Sequence, residues 1–327
     1  MQIRLLRAAE VRRLLSMAAC IELMERTMIA VAEGRALIPL RSMMMLPEKR
    51  GIMAVMPGYL RDPECFGIKL LSLMPQNKPP QYSSHLGLVL LFEAEHGQPL
   101  ALLDAATITA LRTAAVSGLA TRLLSRPDAG DLAILGAGEQ AESHLEAMLN
   151  VRRVRRVRVW ARDPAKAQAF AQRQSARHGM AIETAPSVRA AVDGADLVCT
   201  VTKAREPILE SSWLSDGVHL NVVGSSTADS AEVDSATVAR ARLFVDRRES
   251  TVNEGGDYLR ALRAGLITPA HILGEIGEVA NGSKAGRCAA ADVTLYKSLG
   301  IAAQDLAAAH YILEQARAAG LGQLVDF

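Results

Sequence analysis

A strand pattern, a glycine-rich turn and a helix pattern in direct succession constrain the fold of this chain more than any other segment. Leu132–Leu135 predicts a buried strand, and Glu139–Leu149 has the periodicity of a helix. In such a turn, glycine allows a sharp bend and close approach of a phosphate, and the helix N-terminus attracts the anion. The segment predicts a dinucleotide site, with an ordinary glycine turn as the alternative. The residues assigned to that site are Gly136, Gly138, Glu139, Gln140 and Ala141.

Strand and helix patterns continue to alternate from residue 129 to about residue 246. Alternation of this kind predicts an α/β fold with a doubly wound parallel (Rossmann) sheet. The further strands are expected at Val157–Trp160, Ala181–Glu183, Leu197–Val201, Val218–Val223 and Leu243–Val245. The further helices are expected at Pro164–Arg177, Ser187–Val192 and Glu232–Ala241.

The N-terminal third has a different pattern, which predicts a second domain of the α+β type. Two helical stretches, Ala8–Leu15 and Ala18–Ala32, precede short strand patterns at Met53–Met56, Phe66–Ser72 and Gly87–Glu93. The turn residues at 97–99 predict a hairpin between the segments 88–92 and 100–103. A helix over 105–124 and a C-terminal helix over 305–318 follow. We therefore expect a second, α+β domain of residues 1–113 and 305–327, to which the family resemblance described below assigns substrate binding and dimerisation, and a dinucleotide-binding domain of residues 114–304.

The end of the second strand of the nucleotide domain bears on the choice of cofactor. A strand end about 25 residues after the glycine turn faces the adenosine ribose, and NAD-binding proteins usually place an acidic residue there. Here the strand runs into Ala161 and Arg162, and Asp163 follows one step later. Because arginine pairs with a 2′-phosphate, we expect NADP(H) to be preferred and NAD(H) to be possible. A solvated loop cation is the alternative for Arg162.

Composition excludes several classes of function. The chain has 327 residues, of which 50% are hydrophobic, and its formal net charge is +2. These values predict no nucleic-acid partner, and the basic stretch 152–158 is explained by a solvated approach to a strand. The four cysteines are scattered without metal-ligand spacing, which indicates a reducing compartment and no metal site. No membrane partner is expected, and we predict a cytoplasmic protein.

Three cationic residues stand out in and beside the first domain: Arg41, Lys69 and Arg112. Lys69 interrupts an otherwise apolar strand pattern, and a lysine that a strand buries needs a partner. Guanidinium groups bind a carboxylate through two hydrogen bonds, and lysine adds a mobile proton donor. The three residues are therefore candidates for binding a small anion, with structural ion pairs as the alternative.

The motifs taken together resemble the ornithine cyclodeaminase/mu-crystallin family, and they occur in the family's order over nearly the whole chain. The resemblance implies a dinucleotide domain joined to a domain for substrate binding and dimerisation. It also implies that Arg41, Lys69 and Arg112 hold a substrate carboxylate, with Lys69 near the reacting carbon and nitrogen. The motifs that carry it are Pro39–Arg41, Met53–Leu60, Gly67–Lys69, Leu90–Glu93, Ile108–Ala114, Leu135–Gly138, Asn221–Ser225 and Leu295–Gly300.

One departure from the cyclodeaminase pattern affects the predicted chemistry. Ser226 stands where the cyclodeaminases have an aspartate that acts on the substrate amine, and ketimine reductases of the family also have serine there. Asp229 is about three residues out of register with that position. Serine is too weak a base for amine oxidation, but it can hydrogen-bond an imine nitrogen or a water. The resemblance thus favours a reductase over a lyase, with a loop hydroxyl as the structural alternative for Ser226.

Further candidates come from the same resemblance. His85 is expected near the substrate, with a sheet-edge histidine as the alternative. Lys297 and Ser298 are expected to begin a helix near the nicotinamide, and Ser298 is assigned to the cofactor. The remaining candidates for cofactor contact are Thr200, Thr202 and Val223, at or near strand ends, with plain packing as the alternative.

The predicted function is NAD(P)H-dependent reduction of a small 2-imino acid, either a cyclic ketimine such as pyrroline- or piperideine-2-carboxylate or a linear imino acid. An ornithine cyclodeaminase-type lyase and a weakly catalytic, crystallin-like NADP-binding protein are the alternatives. The apolar segment Met43–Leu46 exceeds what one small sheet can cover. A homodimer that buries it is therefore expected.

Overall fold

A computed structural model describes residues 2–77, 81–83 and 85–326. The chain divides into two compact units, residues 1–112 with 300–327 and residues 113–299. The change from the first unit to the second falls inside one helix, α3 (Ala105–Leu124). We expected the chain to return to the first domain at residue 305, and the unit resumes at Gly300, before helix α11 (Ala302–Ala319) begins.

The first unit is built on one eight-stranded sheet, whose strand order is β16-β1-β7-β6-β5-β4-β2, with β3 paired to β4. All its pairs are antiparallel except β1 with β7. Helix α11 packs against β4, β5 and β6. The strands are β1 (Gln2–Leu6), β2 (Ala36–Leu37), β3 (Ser42–Met45), β4 (Ile52–Arg61), β5 (Glu64–Leu73), β6 (His85–Glu93), β7 (Pro99–Asp104) and β16 (Gln323–Asp326), and the other helices are α1 (Ala8–Leu14) and α2 (Met17–Ala32).

The alternation of side chains along β5 and β6 fixes which residues face α11. On β6, Val89 and Leu91 are fully buried, whereas Leu86 and Leu88 are exposed. On β5, Lys69 is the Cα partner of Val89, so it points to the buried side. The period of two in the strands therefore directs a lysine into the core of this unit.

The second unit contains an eight-stranded parallel sheet of order β10-β9-β8-β11-β12-β15-β13-β14. Its strands are β8 (Asp131–Leu135), β9 (Arg156–Trp160), β10 (Ile182–Thr184), β11 (Leu197–Thr200), β12 (His219–Val222), β13 (Arg242–Val245), β14 (Ile272–Glu275) and β15 (Thr294–Lys297). Its helices after α3 are α4 (Glu139–Val151), α5 (Pro164–His178), α6 (Val188–Val192), α7 (Ser235–Arg240), α8 (Arg248–Glu254), α9 (Gly256–Arg263) and α10 (Ile276–Ala280). The predicted fold class, a doubly wound parallel sheet with a second α+β domain, is confirmed.

Two predictions about elements of the second unit are wrong. The helix expected from Glu232 begins only at Ser235, because Asp234 caps it by accepting the Thr237 N–H at 2.8 Å. Lys297 and Ser298 do not begin a helix: Lys297 ends strand β15, and the next helix starts at Ala302. Among the described residues, no helix is long and apolar enough to cross a membrane.

Candidate functional site

Two of the three predicted cations of the first unit meet at one buried carboxylate. The ammonium of Lys69 and the Nε of Arg112 lie 2.9 and 3.0 Å from the same oxygen, Oδ1 of Asp305. Lys69 comes from β5, Arg112 from α3 and Asp305 from the first turn of α11. Asp305 is fully buried, and the two cations are 1% and 4% exposed. The cluster is therefore built from three separate elements and is shielded from solvent.

The guanidinium of Arg112 is held by a second residue of α11. Its Nη1 donates to Oε1 of Gln304 at 2.9 Å. Gly300 adopts φ +77°, and a Cβ there would lie 2.5 Å from Nη1 and 2.7 Å from Nη2 of Arg112. Within the described part of the chain, no hydrogen bond engages Nη2. The Nη1–Nη2 end of the fork thus packs closely on Gly300, where the absence of a Cβ makes room for the guanidinium.

The electrostatics of the cluster favour a proton donor over a base. Burial lowers the pKa of Lys69 to about 8; Asp305 opposes that effect, and Arg112 and Arg41 add to it. Burial also raises the pKa of Asp305, but the two cations outweigh it and keep that pKa below its ordinary value. Asp305 is therefore an ionised, paired carboxylate, and Lys69 is an ammonium that can release a proton near neutral pH.

The other two predicted substrate contacts, Arg41 and His85, lie at different distances from Lys69. Arg41 lies in the segment between β2 and β3 and is near enough to act on the pKa of Lys69. His85 is exposed at the start of β6, opposite Leu73, whereas Lys69 lies opposite Val89. That separation is about 14 Å along the strand. Among the described residues, Arg41 is thus within electrostatic range of Lys69, whereas His85 lies well away from it along the sheet.

In the second unit, the glycine turn has the geometry that a pyrophosphate requires. Gly136 adopts φ +129° and donates its N–H to the Trp160 carbonyl at 2.8 Å, which closes the turn. Gly138 is the N-cap of α4, has no side-chain cap, and has open space where a Cβ would stand. At the start of α4, Glu139 is exposed, Gln140 is half-buried, and Ala141 is buried. The space beside Gly138 and the uncapped N–H groups fit a phosphate.

A cavity at the ends of β9 and β10 extends the space available to a dinucleotide. It has a volume of about 620 Å³, and Arg162 lines it. Asp163, the acidic residue that kept the cofactor choice open, is engaged as the N-cap of α5, accepting the Ala165 N–H at 3.0 Å. The lining residues are Trp160, Ala161, Arg162, Pro164, Ala167, Gln168, Thr184, Ala185 and Pro186.

Thr200 and Thr202 are tied to a buried glutamate. Their hydroxyls donate to the two oxygens of Glu232 at 2.7 and 2.6 Å, and the backbone N–H groups of Thr202 and Gly224 donate to the same carboxylate. Burial raises the pKa of Glu232, and these hydrogen bonds oppose that effect. Glu232 therefore fixes the chain just beyond β11 and β12, and the threonine hydroxyls can offer a cofactor only their acceptor lone pairs. Val223 continues β12 and donates its N–H to the Thr200 carbonyl at 3.0 Å.

The loop after β12 presents Ser226. This side chain is half-buried, and within the described residues no hydrogen bond occupies its hydroxyl. The carbonyl of the preceding residue, Ser225, accepts a hydrogen bond from the ammonium of Lys297. That ammonium also lies 2.9 Å from Oδ2 of Asp257. Asp229 accepts from Thr227 at 2.7 Å in an exposed turn, so it does not replace the missing acid at position 226. Ser298, predicted to contact the cofactor, is buried and donates its N–H to the Val222 carbonyl at 3.0 Å.

Sequence reasoning missed three buried carboxylates that organise these sites: Asp305, Glu232 and Asp257. Asp305 had a usable signal, since α11 is buried on nearly all sides and an acidic residue within it requires a partner. Glu232 and Asp257 had none, because most of their partners lie 24 or more residues away in the sequence. Their positions follow only from the tertiary fold.

A parallel sheet with an uncapped glycine turn, together with a separate unit that buries two cations, defines a dinucleotide-dependent enzyme class that acts on small anions. Comparison with known proteins agrees with that class. The chain belongs to the Ornithine cyclodeaminase/mu-crystallin family, whose model matches residues 1–320. The resemblance found in the sequence motifs is confirmed.

Several relatives are similar along most of their length. The ketimine reductase mu-crystallin of Mus musculus is 38% identical over 282 residues, 86% of each chain. The structure of Thermococcus litoralis Delta(1)-pyrroline-2-carboxylate reductase in complex with NADH and L-proline is 37% identical, with a TM-score of 0.95, covering 98% of this chain and 99% of that one. An archaeal alanine dehydrogenase dimer with bound NAD is 28% identical, with a TM-score of 0.94, and both chains are covered completely.

Proposed function

We propose that this protein reduces small 2-imino acids to amino acids with a nicotinamide dinucleotide. The observation that carries the proposal is the buried cluster of Lys69 and Arg112. It offers a guanidinium that can bind a substrate carboxylate and an ammonium with a pKa of about 8. The only carboxylate in that cluster, among the described residues, is Asp305, which both cations engage. The relatives named as ketimine and pyrroline-2-carboxylate reductases support the same reaction.

The substrate side of the proposal follows from the chemistry of the side chains. Arg112 and Arg41 bind the carboxylate, Arg112 through the end of its fork beside Gly300. Lys69 donates a proton to the imine nitrogen and stabilises the charge that develops during reduction. Ser226 orients that nitrogen or a proton-relaying water through its unoccupied hydroxyl. Cyclic ketimines such as pyrroline- or piperideine-2-carboxylate and linear imino acids all present the required carboxylate beside a C=N bond.

The cofactor side uses residues of the second unit. When bound, the nicotinamide supplies the hydride for the imine carbon. Gly136 closes the turn and Gly138 leaves space for the pyrophosphate, and Arg162 stands at the cavity where the adenosine ribose is expected. Since Asp163 is used as a helix cap, Arg162 is the charged residue that remains for a 2′-substituent. We propose NADP(H) as the preferred cofactor and NAD(H) as an accepted one.

The lyase alternative meets a specific obstacle at Ser226. A cyclodeaminase must oxidise a stable amine and needs a base beside that nitrogen, whereas a reductase begins from an electrophilic C=N carbon. A serine hydroxyl is no such base, and Asp229 is engaged elsewhere. The site therefore supports reduction better than deamination, and the paired, ordered cations support catalysis better than cofactor storage alone.

We also propose that the protein is a homodimer that pairs the outer sheet faces of its first unit. Leu86 and Leu88 are 57% and 46% exposed on the face of β6 away from α11, and Met44 is 51% exposed on β3. An apolar groove of about 320 Å³ is lined by Ile3, Leu5, Leu90, Phe92, Pro99, Leu102 and Val325. Exposed apolar area of this kind marks an interface, and one of the solved relatives is a dimer.

A panel of imino acids tests the proposed reaction. The imines are formed from cyclic precursors or from 2-oxo acids with ammonia or methylamine, and NADPH and NADH absorbance is followed with each. We expect enzyme-dependent oxidation of the cofactor with at least one 2-imino carboxylate and none with the matching imine that lacks the carboxylate. Equal rates with both imines would contradict the proposal that Arg112 binds the substrate carboxylate.

A further inference from the structure

In the first unit, the buried carboxylate of Asp305 pairs with two cations at once. Two cations, Lys69 and Arg112, share its single oxygen Oδ1, so the three side chains together keep a net charge of one positive unit. Oδ2 is buried without a hydrogen-bond partner among the described residues. A lone buried carboxylate would be costly, but two cations without it would cost more. Asp305 thus makes the burial of both cations possible.

Asp305 and its neighbour Gln304 also determine how Arg112 is oriented. Asp305 takes the Nε–H of the guanidinium at 3.0 Å and Gln304 takes one N–H of Nη1 at 2.9 Å. Both acceptors are 1% exposed or less and sit next to each other at the start of α11. With two N–H groups fixed, the plane of the guanidinium is fixed, and the fork end remains for a carboxylate.

We propose that Asp305, with Gln304, is a positioning residue of this enzyme: it orients the Arg112 fork toward the substrate carboxylate and holds Lys69 as an ammonium ion. Asp305 acts through these two residues and does not itself contact the reacting atoms. The inference rests on the proposed function, because it assumes that Arg112 and Lys69 serve the substrate.

The charged groups around Lys69 determine the sign of the expected effect. They are Asp305 on α11, Arg112 on α3 and Arg41 between β2 and β3, whereas its strand neighbours Met56 and Val89 are apolar. Burial, Arg112 and Arg41 all lower the pKa of Lys69, and Asp305 raises it. Removal of the negative charge of Asp305 therefore lowers that pKa further and narrows the pH range in which Lys69 carries its proton.

The test is the pH profile of imine reduction by Asp305→Asn, which keeps the shape of the side chain and removes its charge. We expect the alkaline limb of kcat to move to lower pH by about one unit or more, as is usual for loss of an adjacent opposite charge. Glu314→Gln is the matched control, since it makes the same change at an exposed position of the same helix. Each variant is compared with the wild type on the same imine, so the titration of the substrate is common to all profiles.

A second variant tests the orienting role separately. Gln304→Ala removes the hydrogen bond to Nη1 but no charge, so KM for the imino acid should rise severalfold while the alkaline limb stays in place. A folded, active Asp305→Asn protein with an unmoved limb would overturn the role toward Lys69. If Asp305→Asn does not fold, an unchanged KM in Gln304→Ala would overturn the proposal. Absence of imine reduction by the wild type would instead reject the proposed function.

Discussion

At the scale of single residues, Lys69 illustrates how burial of a charged side chain can bring its pKa into a range that is useful for proton transfer. A lysine in a strand is expected at the surface, yet strand alternation turns this one inward, where it is 1% exposed. Asp305 compensates its charge, and burial brings its pKa to about 8, within reach of neutral pH. The sequence showed that Lys69 was out of place in an apolar strand, but not which residue would pair with it.

Replacing Lys69 tests its role as the proton donor. Lys69→Ala should lower kcat by roughly 10²–10⁴, the usual contribution of general acid catalysis, while NADPH binding is retained. In the wild type, kcat should fall as pH rises through about 8, because the protonated lysine is the active form. Fluorescence titration of the cofactor and pH-dependent kinetics measure the two effects, with Lys284→Ala at an exposed position as control. Lost cofactor affinity would make Lys69 a structural residue.

Replacing Arg112 tests the carboxylate fork. Arg112→Lys keeps the positive charge but loses the planar fork, so KM should rise about tenfold to a hundredfold, corresponding to about 1.5–3 kcal/mol. Arg317→Lys, an exposed arginine on α11, controls for the substitution itself. Unchanged steady-state kinetics in a folded Arg112→Lys protein would show that this residue does not bind the substrate.

At the scale of elements, the predicted fold was most accurate where the signal is local. The strand, glycine turn and helix of 131–151 were all predicted, and α3 was predicted to the residue, because propensity, periodicity and turn residues agree there. Strand β15 was missed because it ends in Lys297, whose charge is paired with Asp257 forty residues earlier. The late start of α7 has a local cause, since Asp234 caps the helix by accepting the Thr237 N–H.

Arg162, which follows the end of strand β9, leads to a prediction about cofactor preference. Arg162→Asp should weaken NADPH binding much more than NADH binding, because it replaces a cation near the 2′-phosphate with a repelling charge. Arg189→Asp makes the same change at an exposed position on α6 and should leave both affinities unchanged. The dissociation constants of both cofactors are measured by fluorescence titration. Equal weakening of NADPH and NADH would mean that Arg162 does not face the ribose.

At the scale of the whole molecule, the two units carry separate parts of the proposed reaction. The first holds the cations and an exposed apolar sheet face, and the second holds the glycine turn and the Ser226 loop. Neither part could be recognised as a site from composition, which excludes nucleic-acid binding but does not distinguish among enzymes. A cytoplasmic location remains a prediction from the sequence.

The apolar sheet face leads to a prediction about assembly. Leu88→Glu places a charge in the proposed interface and should shift the protein from dimer to monomer at micromolar concentration, as measured by light scattering. Val252→Glu, at an exposed apolar residue of α8, should leave the dimer intact. A wild-type protein that is monomeric and fully active at that concentration would contradict the proposed dimer.

The central claim is that this site reduces imines and does not deaminate amines, and one parallel measurement tests it most directly. The wild type is given a 2-imino carboxylate with NADPH in one assay, and L-ornithine with catalytic NAD in the other, with ammonia and cofactor both followed. We expect rapid NADPH consumption in the first assay and negligible ammonia release in the second, because Ser226 supplies no base for amine oxidation. Robust ammonia release from ornithine without net cofactor turnover would contradict the account.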